Sequence, residues 1–418
     1  MAGFIDLWRS GTWLTRERVR LVAVLLLAAT VLGAAFLIAT SDGRNDRFGR
    51  PLGTDFSNVY AAGTYVLDGQ PAAPFDPPRQ YAREQAIFGP ATPFYGWHYP
   101  PLFLGLAALL ATMPYWLALI VWQGTTLFLY VLCIRAILFS PSPGGGGINE
   151  NLWLLLALAF PAVFINLGQA HNGFLTAALF GAALTQLDKR PWLAGLFFGL
   201  LAYKPQFGLL IPLVLIASGR WRVVFAAAAT VALLALAVSL AFGTQVWTAF
   251  LASTQFTRDV VLEQGQTGWY KIQSVFSWAR MWGGSVTLAY AIQGAVIAAV
   301  AAALIWLWRS PAAFPLKAAA LIVGCLLATP YSLDYDLMLL APVVAYLCID
   351  GMARGFAPWQ KTILAALWIV PMVARSVPEV TLIPLAVPIM LLAFAAMLHR
   401  AMKDMRALQS SGVFRRAP

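Results

Sequence analysis

The sequence predicts an all-α fold, a polytopic bundle of membrane-spanning helices. Three observations carry that prediction. The 418 residues are 60% hydrophobic and only 11% charged, with a mean hydropathy of +0.73, whereas a soluble domain carries about 25% charged residues. The apolar residues form long continuous runs, and a run of about 20 is the length a helix needs to cross the hydrocarbon core. The basic residues cluster between those runs. Backbone groups in lipid must bond internally, so the spans are helices. Continuous rather than alternating apolar runs exclude a barrel.

In chain order the candidate spans are 21–40, 100–113, 115–138, 152–167, 173–187, 192–203, 206–218, 223–243, 286–308, 317–330, 337–349, 362–375 and 380–398. The basic clusters are Arg16, Arg18 and Arg20; Lys189 and Arg190; Arg220 and Arg222; Arg309 and Lys317; Arg354 and Lys361; and Arg400 to Arg416. By the positive-inside rule they place 188–190, 219–222, 309–317, 350–361 and the tail 400–418 in the cytoplasm. Loops 41–98 and 244–285 then face the other side. Two cytoplasmic termini require an even number of crossings, so the prediction is about 12 spans. One short segment, within 100–138 or 152–187, is then a half-span or re-entrant piece, which is tolerated only where it lines a protein cavity. The whole chain, 1–418, reads as one integral membrane domain. A basic stretch before the first apolar run resembles a signal peptide, but the run is long and others follow it, so an uncleaved helix is expected.

The net charge of +11 is accounted for by topology and does not point to nucleic acid. Cys133, Cys325 and Cys348 lie in apolar runs without metal-ligand spacing and read as small core residues. His98, His171 and His399 are far apart and show no zinc spacing. GGGG at 144–147 has no Lys-Ser or Lys-Thr sequel and reads as a surface connection, not a phosphate loop. No metal and no cofactor is predicted.

The most informative segment is the polar, aromatic-rich loop 41–98, set against a body otherwise embedded in lipid. It contains GTDFSNVYAAG (53–63) and ends in WHYPP (97–101). Asp55 reads in two ways. It is a carboxylate at the membrane face, able to accept a proton from an attacking hydroxyl, or it caps a helix beginning near Ser57. The aromatics Tyr60, Tyr65, Phe75, Tyr81, Phe88, Phe94, Tyr95, Trp97 and Tyr99 form an interfacial belt or a platform for sugar rings. His98 bonds a phosphate or anchors the loop.

Lys204 sits in AYKPQ (202–206), at the tip of an expected hairpin whose arms together cover only 192–218. A cation below the membrane surface is costly unless paired. It therefore meets a lipid phosphate, or else snorkels to water. Polar residues Asn166, Gln169, His171 and Asn172 interrupt apolar sequence, and Asp334 and Asp336 open the span at 337. Loop 244–285 mixes Arg258, Lys271, Gln273, Ser274 and Arg280 with Trp247, Phe256, Trp269, Tyr270 and Trp278. That mixture suits a lipid phosphate bearing a sugar, and equally an interfacial helix.

At these motifs the chain resembles glycosyltransferase family 87, membrane enzymes of the GT-C superfamily. The matching pieces are GTDFSNVYAAG with LDGQP, YPPLFLGLAALLATMP (99–114), NLGQAHNGFL (166–175), AGLFFGLLAYKPQFGLLIPLVL (194–215) followed by GRWR, YKIQSVF (270–276) and TPYSLDYDLMLL (329–340). They occur in the family's order across most of residues 53–342. The resemblance implies a GT-C-like helical bundle in the plasma (bacterial inner) membrane, with its active site at the extracytoplasmic face. It implies a polyprenyl-phosphate sugar donor, commonly the mannose form, and a general base at the position of Asp55. Ala170-His171-Asn172 after the Gly168-Gln169 pair departs from the usual pattern.

The expected activity is inverting transfer of a hexose, by resemblance mannose, to a hydroxyl of a glycan or glycolipid acceptor. Asp55 is the expected base. Lys204, His98, Arg258 and Lys271 are the expected phosphate contacts. Tyr60, Tyr99, Gln169, His171, Asn172, Gln273, Asp334 and Asp336 are the expected substrate contacts. Two alternatives stand beside this reading: a transporter or flippase of lipid-linked sugars, disfavoured because no inverted repeat is visible, and a noncatalytic envelope-assembly scaffold.

Overall fold

The structure is a computed structural model that describes residues 2–139 and 150–410. The GGGG stretch at 144–147 and the end of the tail lie outside the described residues. Within them the regular structure is all helical, and the only β-pairing consists of isolated bridges: Asp42 with Asn45, Asn45 with Pro51, and Ile272 with Leu333.

Among the described residues six helices are long and apolar enough to cross a membrane: Arg16–Ala39, Tyr115–Leu138, Trp221–Phe242, Val286–Arg309, Asp334–Arg354 and Ala386–Ala407. A seventh span is formed if Asn151–Leu158 and Pro161–Gln169 are taken together, across a bend of 49°. Pro161 cannot donate to the preceding turn, and this breaks the helix. The remaining apolar runs become helices of 10–17 residues: Pro101–Ala111, Gly173–Gln186, Pro191–Tyr203, Pro205–Ala217, Phe314–Ala328 and Gln360–Val373. Each is shorter than the ~20 residues of a full crossing. The chain is a multi-pass helical membrane protein, and its short helices gather around the polar residues that interrupt the apolar runs.

Burial sorts the helices into an inner and an outer set. In the apolar stretch of the central span Asp334–Arg354, 78% is buried, against 11% in that of Arg16–Ala39. Helix Phe314–Ala328 is buried continuously from Ala318 to Ala328 and packs against the Asp334–Arg354 span. A helix apolar on every side suits such an inner position. The arms on either side of Lys204 share Trp221–Phe242 as a neighbour and otherwise diverge. Pro191–Leu200 packs on Trp221–Phe242 and Gly173–Gln186, while Leu210–Ala217 packs on Val286–Arg309 and Phe314–Ala328.

The loop after the first span is itself folded. Helices Thr54–Leu67 and Pro77–Phe88 flank a short 3-10 turn at Ala73–Phe75. Asp76 accepts from Arg79 N as the N-cap of the second helix, and Arg83 pairs with Asp68 at 2.7 Å. Asp46 lies in the polar stretch just after the first span. It is buried, and its carboxylate accepts from Phe48 N and Arg50 N at 2.8 and 2.9 Å, which ties the loop on itself. At the opposite membrane face buried Asp350 joins Arg354 and, at 3.0 Å, Arg400, locking two spans together.

Helix Thr54–Leu67 seats on Leu104–Ala111 through Gly63, where an added Cβ would lie 2.1 Å from Ala107 O. Gly63→Ala gains about 1 kcal/mol of intrinsic helix propensity, but the obstacle is backbone and cannot swing away. The expected outcome is a net loss of about 1–3 kcal/mol, read as a lower melting temperature in detergent. A melting temperature equal to or above wild type would contradict this packing.

Candidate active site

Asp55 lies in the first turn of helix Thr54–Leu67, whose N-cap is Gly53 and has no side-chain cap. Asp55 is therefore not the cap of a helix starting near Ser57. Gly53 holds a left-handed φ of +68°, and a Cβ there would fall 2.7 Å from Ala170 Cβ. Only glycine serves both needs. The close approach brings the start of this helix onto the turn that follows helix Pro161–Gln169. Ala170 in that turn has a φ of +50°, an uncommon conformation for a side chain, and its carbonyl accepts from Trp122 Nε1 at 3.1 Å.

Gln169, the last residue before that turn, joins two groups. With its amide oriented to satisfy both neighbours, it donates to Asp55 Oδ2 at 3.1 Å and accepts from Arg375 Nη2 at 3.2 Å. Arg375 also donates to Asp334 Oδ1 at 3.0 Å. Asp334 and Asp336 lie on the 3-10 turn Asp334–Leu339 that opens the central span. Asp336 accepts from Lys204 Nζ at 2.5 Å, both side chains being almost wholly buried, and from Leu333 N at 3.0 Å. Lys271, Arg375 and Lys204 all act electrostatically on Asp55. One end of the bundle thus gathers Asp55, Asp334 and Asp336 with Lys204, Lys271 and Arg375, equal numbers of each sign.

The surrounding residues orient this cluster. Asn166 is fully buried and donates to Ala162 O and Tyr335 O while accepting from Gly173 N. It clamps the Gln169 helix to the Asp336 turn. Gln273 donates to Ala374 O at 2.5 Å, and its backbone N donates to Ser332 O at 2.6 Å. It thereby fixes the segments carrying Arg375 and Asp334. His171 stacks on Tyr335 with ring centroids 3.4 Å apart, and its Nε2 meets Tyr99 OH at 3.1 Å. Several buried polar atoms here have no protein partner: both side-chain amide atoms of Asn172, His171 Nδ1 and Arg375 Nε. The cluster opens outward through Arg375, whose side chain is 41% exposed, and through half-buried Lys271.

Three of the sequence-predicted residues lie apart from this cluster. Arg258 is exposed and pairs with Asp259 and Glu263 beside it. His98 Nδ1 meets Thr257 Oγ1 at 2.9 Å, and burial draws its imidazole down to about 4. Tyr60 OH donates to Met113 O, tying two helices. Two residues absent from the sequence reading belong near the site. Arg375 is one. Its signal was a cation standing alone between apolar runs, away from every basic cluster. Glu84 is the other. Fully buried, it accepts from Tyr95 N, Gly96 N and Gln80 Nε2, each at 3.1 Å. It props the strand of chain leading to His98 and Tyr99. Burial lifts its carboxyl to about 7 despite these bonds.

Burial also lifts Asp55 to about 7. The Asp334 carboxylate adds to the rise, and Arg375, Lys204 and Lys271 oppose it. Among the described residues no group of three His, Cys, Asp or Glu side chains is arranged for a metal.

These features define a class: a polytopic helical membrane protein with a compensated cluster of charges at one end of its bundle and an acid that titrates near neutrality. Residues 97–330, more than half the chain, match the model of glycosyltransferase family 87, and the protein belongs to that family. It is a membrane glycosyltransferase. The match includes Gln169, His171, Lys204 and Lys271; it begins after Asp55 and ends before Asp334, Asp336 and Arg375. No curated protein and no solved structure matches the chain.

Two outcomes follow from the geometry. The Asp55 carboxyl band in infrared difference spectra against Asp55→Asn should titrate with a midpoint near pH 7. Arg375→Gln removes a charge that favours the ionised form and should move that midpoint upward; a midpoint that stays put would place Arg375 out of reach. Lys204→Met leaves Asp336 buried and alone, and should cost about 3–5 kcal/mol of stability. Adding Asp336→Leu should restore part of it, as judged by melting in detergent, and a single variant as stable as wild type would contradict the pairing.

Proposed function

We propose that the protein transfers a hexose, mannose by family resemblance, from a polyprenyl-phosphate sugar to the hydroxyl of a glycan or glycolipid. The observation that carries this reading is the Asp55 carboxylate, bonded to Gln169 and within electrostatic reach of three cations. A general base works best when its pKa lies near the operating pH. Asp55 meets that condition because burial raises it and the cations stop it rising further.

In this mechanism the acceptor oxygen attacks the anomeric carbon from the face opposite the lipid phosphate, and the configuration inverts. Asp55 takes the hydroxyl proton. The bond from the anomeric carbon to the phosphate oxygen breaks, the oxygen keeps the electron pair, and the phosphate gains one negative charge. Preorganised cations stabilise such a leaving group without reorganisation. Arg375 and Lys271 are the nearest candidates, since they face the opening of the cluster and Arg375 Nε has no partner. Lys204 is already engaged by Asp336, so it contributes potential and holds the Asp336 turn. The unpaired amide of Asn172 and the Tyr99–His171–Tyr335 stack are suited to sugar hydroxyls and a ring face. The reaction is assigned to the extracytoplasmic face of the plasma membrane, where positive-inside counting puts loop 41–98.

The test uses purified protein with polyprenyl-phosphate mannose and a panel of glycolipid acceptors. Asp55→Asn should lower transfer by about 10²–10⁴-fold, the usual contribution of a general base, with donor affinity retained. The deprotonated form is the active one, so the wild-type rate should fall about tenfold per pH unit below 7 and level off above it. Undiminished transfer by Asp55→Asn would remove the base assignment, and transfer from no polyprenyl-phosphate sugar would remove the donor class.

A further inference from the structure

A second feature lies at the other membrane face. Asp55 follows the far end of the first span, and Arg16 begins it. The 24-residue helix between them is about 36 Å long at 1.5 Å per residue. Beside Arg16 is a cavity of about 320 Å³, partly open to the surface and walled by Tyr130, Trp153, Phe160, Val344 and Trp368 among other apolar side chains. It sits between the span Tyr115–Leu138, the bent helix before Pro161 and the central span. Among the described residues, Arg16 is the one charged residue in its lining.

The walls have no spare polarity. Tyr130 OH donates to Ala157 O at 3.0 Å, and Trp368 Nε1 donates to Leu156 O at 3.3 Å. The volume far exceeds the ~15 Å³ that admits one water, but ordered water needs two to four polar partners, and such a wall does not supply them. The natural occupant of an apolar cavity open to a bilayer is hydrocarbon. Arg16 is exposed at the cavity mouth, at the start of the span where headgroups lie. Its sequence neighbour Glu17 feels the Arg16 charge only after its own backbone bond and the Thr15 side chain, and adjacent helix residues do not face one another, so the guanidinium stays open to a headgroup. An exposed cation above an apolar slot matches a phosphate with an acyl chain beneath it.

We propose that this cavity binds one acyl chain of an anionic phospholipid, with the lipid phosphate on Arg16. Hydrophobic transfer gives no preference here, because a lipid tail is already in an apolar medium. Selection comes from the arginine, and filling a void supplies the contacts. The occupant is a phospholipid, not the sugar donor, because the donor phosphate belongs to the cluster at the opposite face. The cavity stands on its own lining, and only the exclusion of the sugar donor rests on the proposed function. By its position it buttresses the bent helix that carries Asn166 and Gln169.

The experiment places the full-length protein in phosphatidylcholine bilayers with tail-brominated phosphatidylglycerol or tail-brominated phosphatidylcholine, and reads tryptophan quenching. The contribution of Trp153 and Trp368 is isolated by difference against the Trp153→Phe/Trp368→Phe variant. That component should reach half-quenching at about fivefold lower phosphatidylglycerol than brominated phosphatidylcholine, the preference expected of one cation near an anionic headgroup. Arg16→Gln, a change at an exposed helix end, should make the two lipids equal. Ala157→Phe should fill the cavity and abolish the component for both. Equal half-quenching in wild type, no quenching of this component, or displacement by polyprenyl phosphate but not by phosphatidylglycerol would each overturn the proposal. Should Ala157→Phe fail to fold, the Arg16→Gln comparison decides alone.

Discussion

Three carboxylates and three cations share one end of an otherwise apolar bundle, and most of the local architecture follows from keeping them compensated. A lone charge at membrane depth costs several kcal/mol, and two opposite charges 4 Å apart recover about 4 kcal/mol at an effective dielectric of 20. The Lys204–Asp336 pair satisfies that requirement at the most buried point. It fixes the tip between two short helices to the start of the central span. From there the network passes through Asp334, Arg375 and Gln169 to Asp55. Each contact joins a different pair of chain segments, so the cluster organises the tertiary structure as much as it serves chemistry.

The same requirement explains why so many helices are short. Non-helical backbone at membrane depth survives only where protein covers it or a polar cavity adjoins it. The turn at Ala170 to Asn172, the tip at Lys204 and the turn at Asp334 all lie where apolar runs end early. Trp122 and Asn166 bond the first of these turns, Asn166 and the Gln273 backbone hold the segment around Asp334, and Lys204 is held by Asp336. Around them the long outer spans carry apolar surface toward lipid and few polar residues. The protein is thus layered: a lipid-facing shell, a buried apolar centre, and a polar end where helices stop.

Asp55 draws its chemistry from this arrangement. An aspartate in water is fully ionised at neutral pH and is a weak base. Burial and the Asp334 charge push its carboxyl up, and the nearby cations limit the rise to about 7. Gln169 donates to one of its oxygens, which fixes the direction in which the other can accept a proton. The cations that tune Asp55 are the ones that the proposed mechanism sets against the negative charge of a departing phosphate. In the proposed mechanism one set of charges would serve both ground-state tuning and transition-state stabilisation.

The membrane class, the helical fold and the leading residues were legible in the sequence because each leaves a local mark. Lipid demands runs of apolar side chains, topology demands clustered cations, and Asp55, Lys204 and the 166–172 amides stand out against such a background. Span number was less legible: a run of 12 apolar residues reads alike whether it crosses, bends or stops halfway, and only packing decides. Arg258 and Lys271 looked equivalent in sequence, yet Arg258 folds back onto Asp259 and Glu263 while Lys271 reaches the cluster. Arg375 joined the site from a segment read as ordinary span, and Asp336 proved to be the partner of Lys204. Pairing between residues more than a hundred positions apart has no periodicity to betray it. The sequence by itself marked Asp55, Lys204, Asp334 and Asp336 as charges set against apolar runs; the tertiary structure alone decided which charges are buried and which of them meet, because that depends on how the helices stack and not on where each begins.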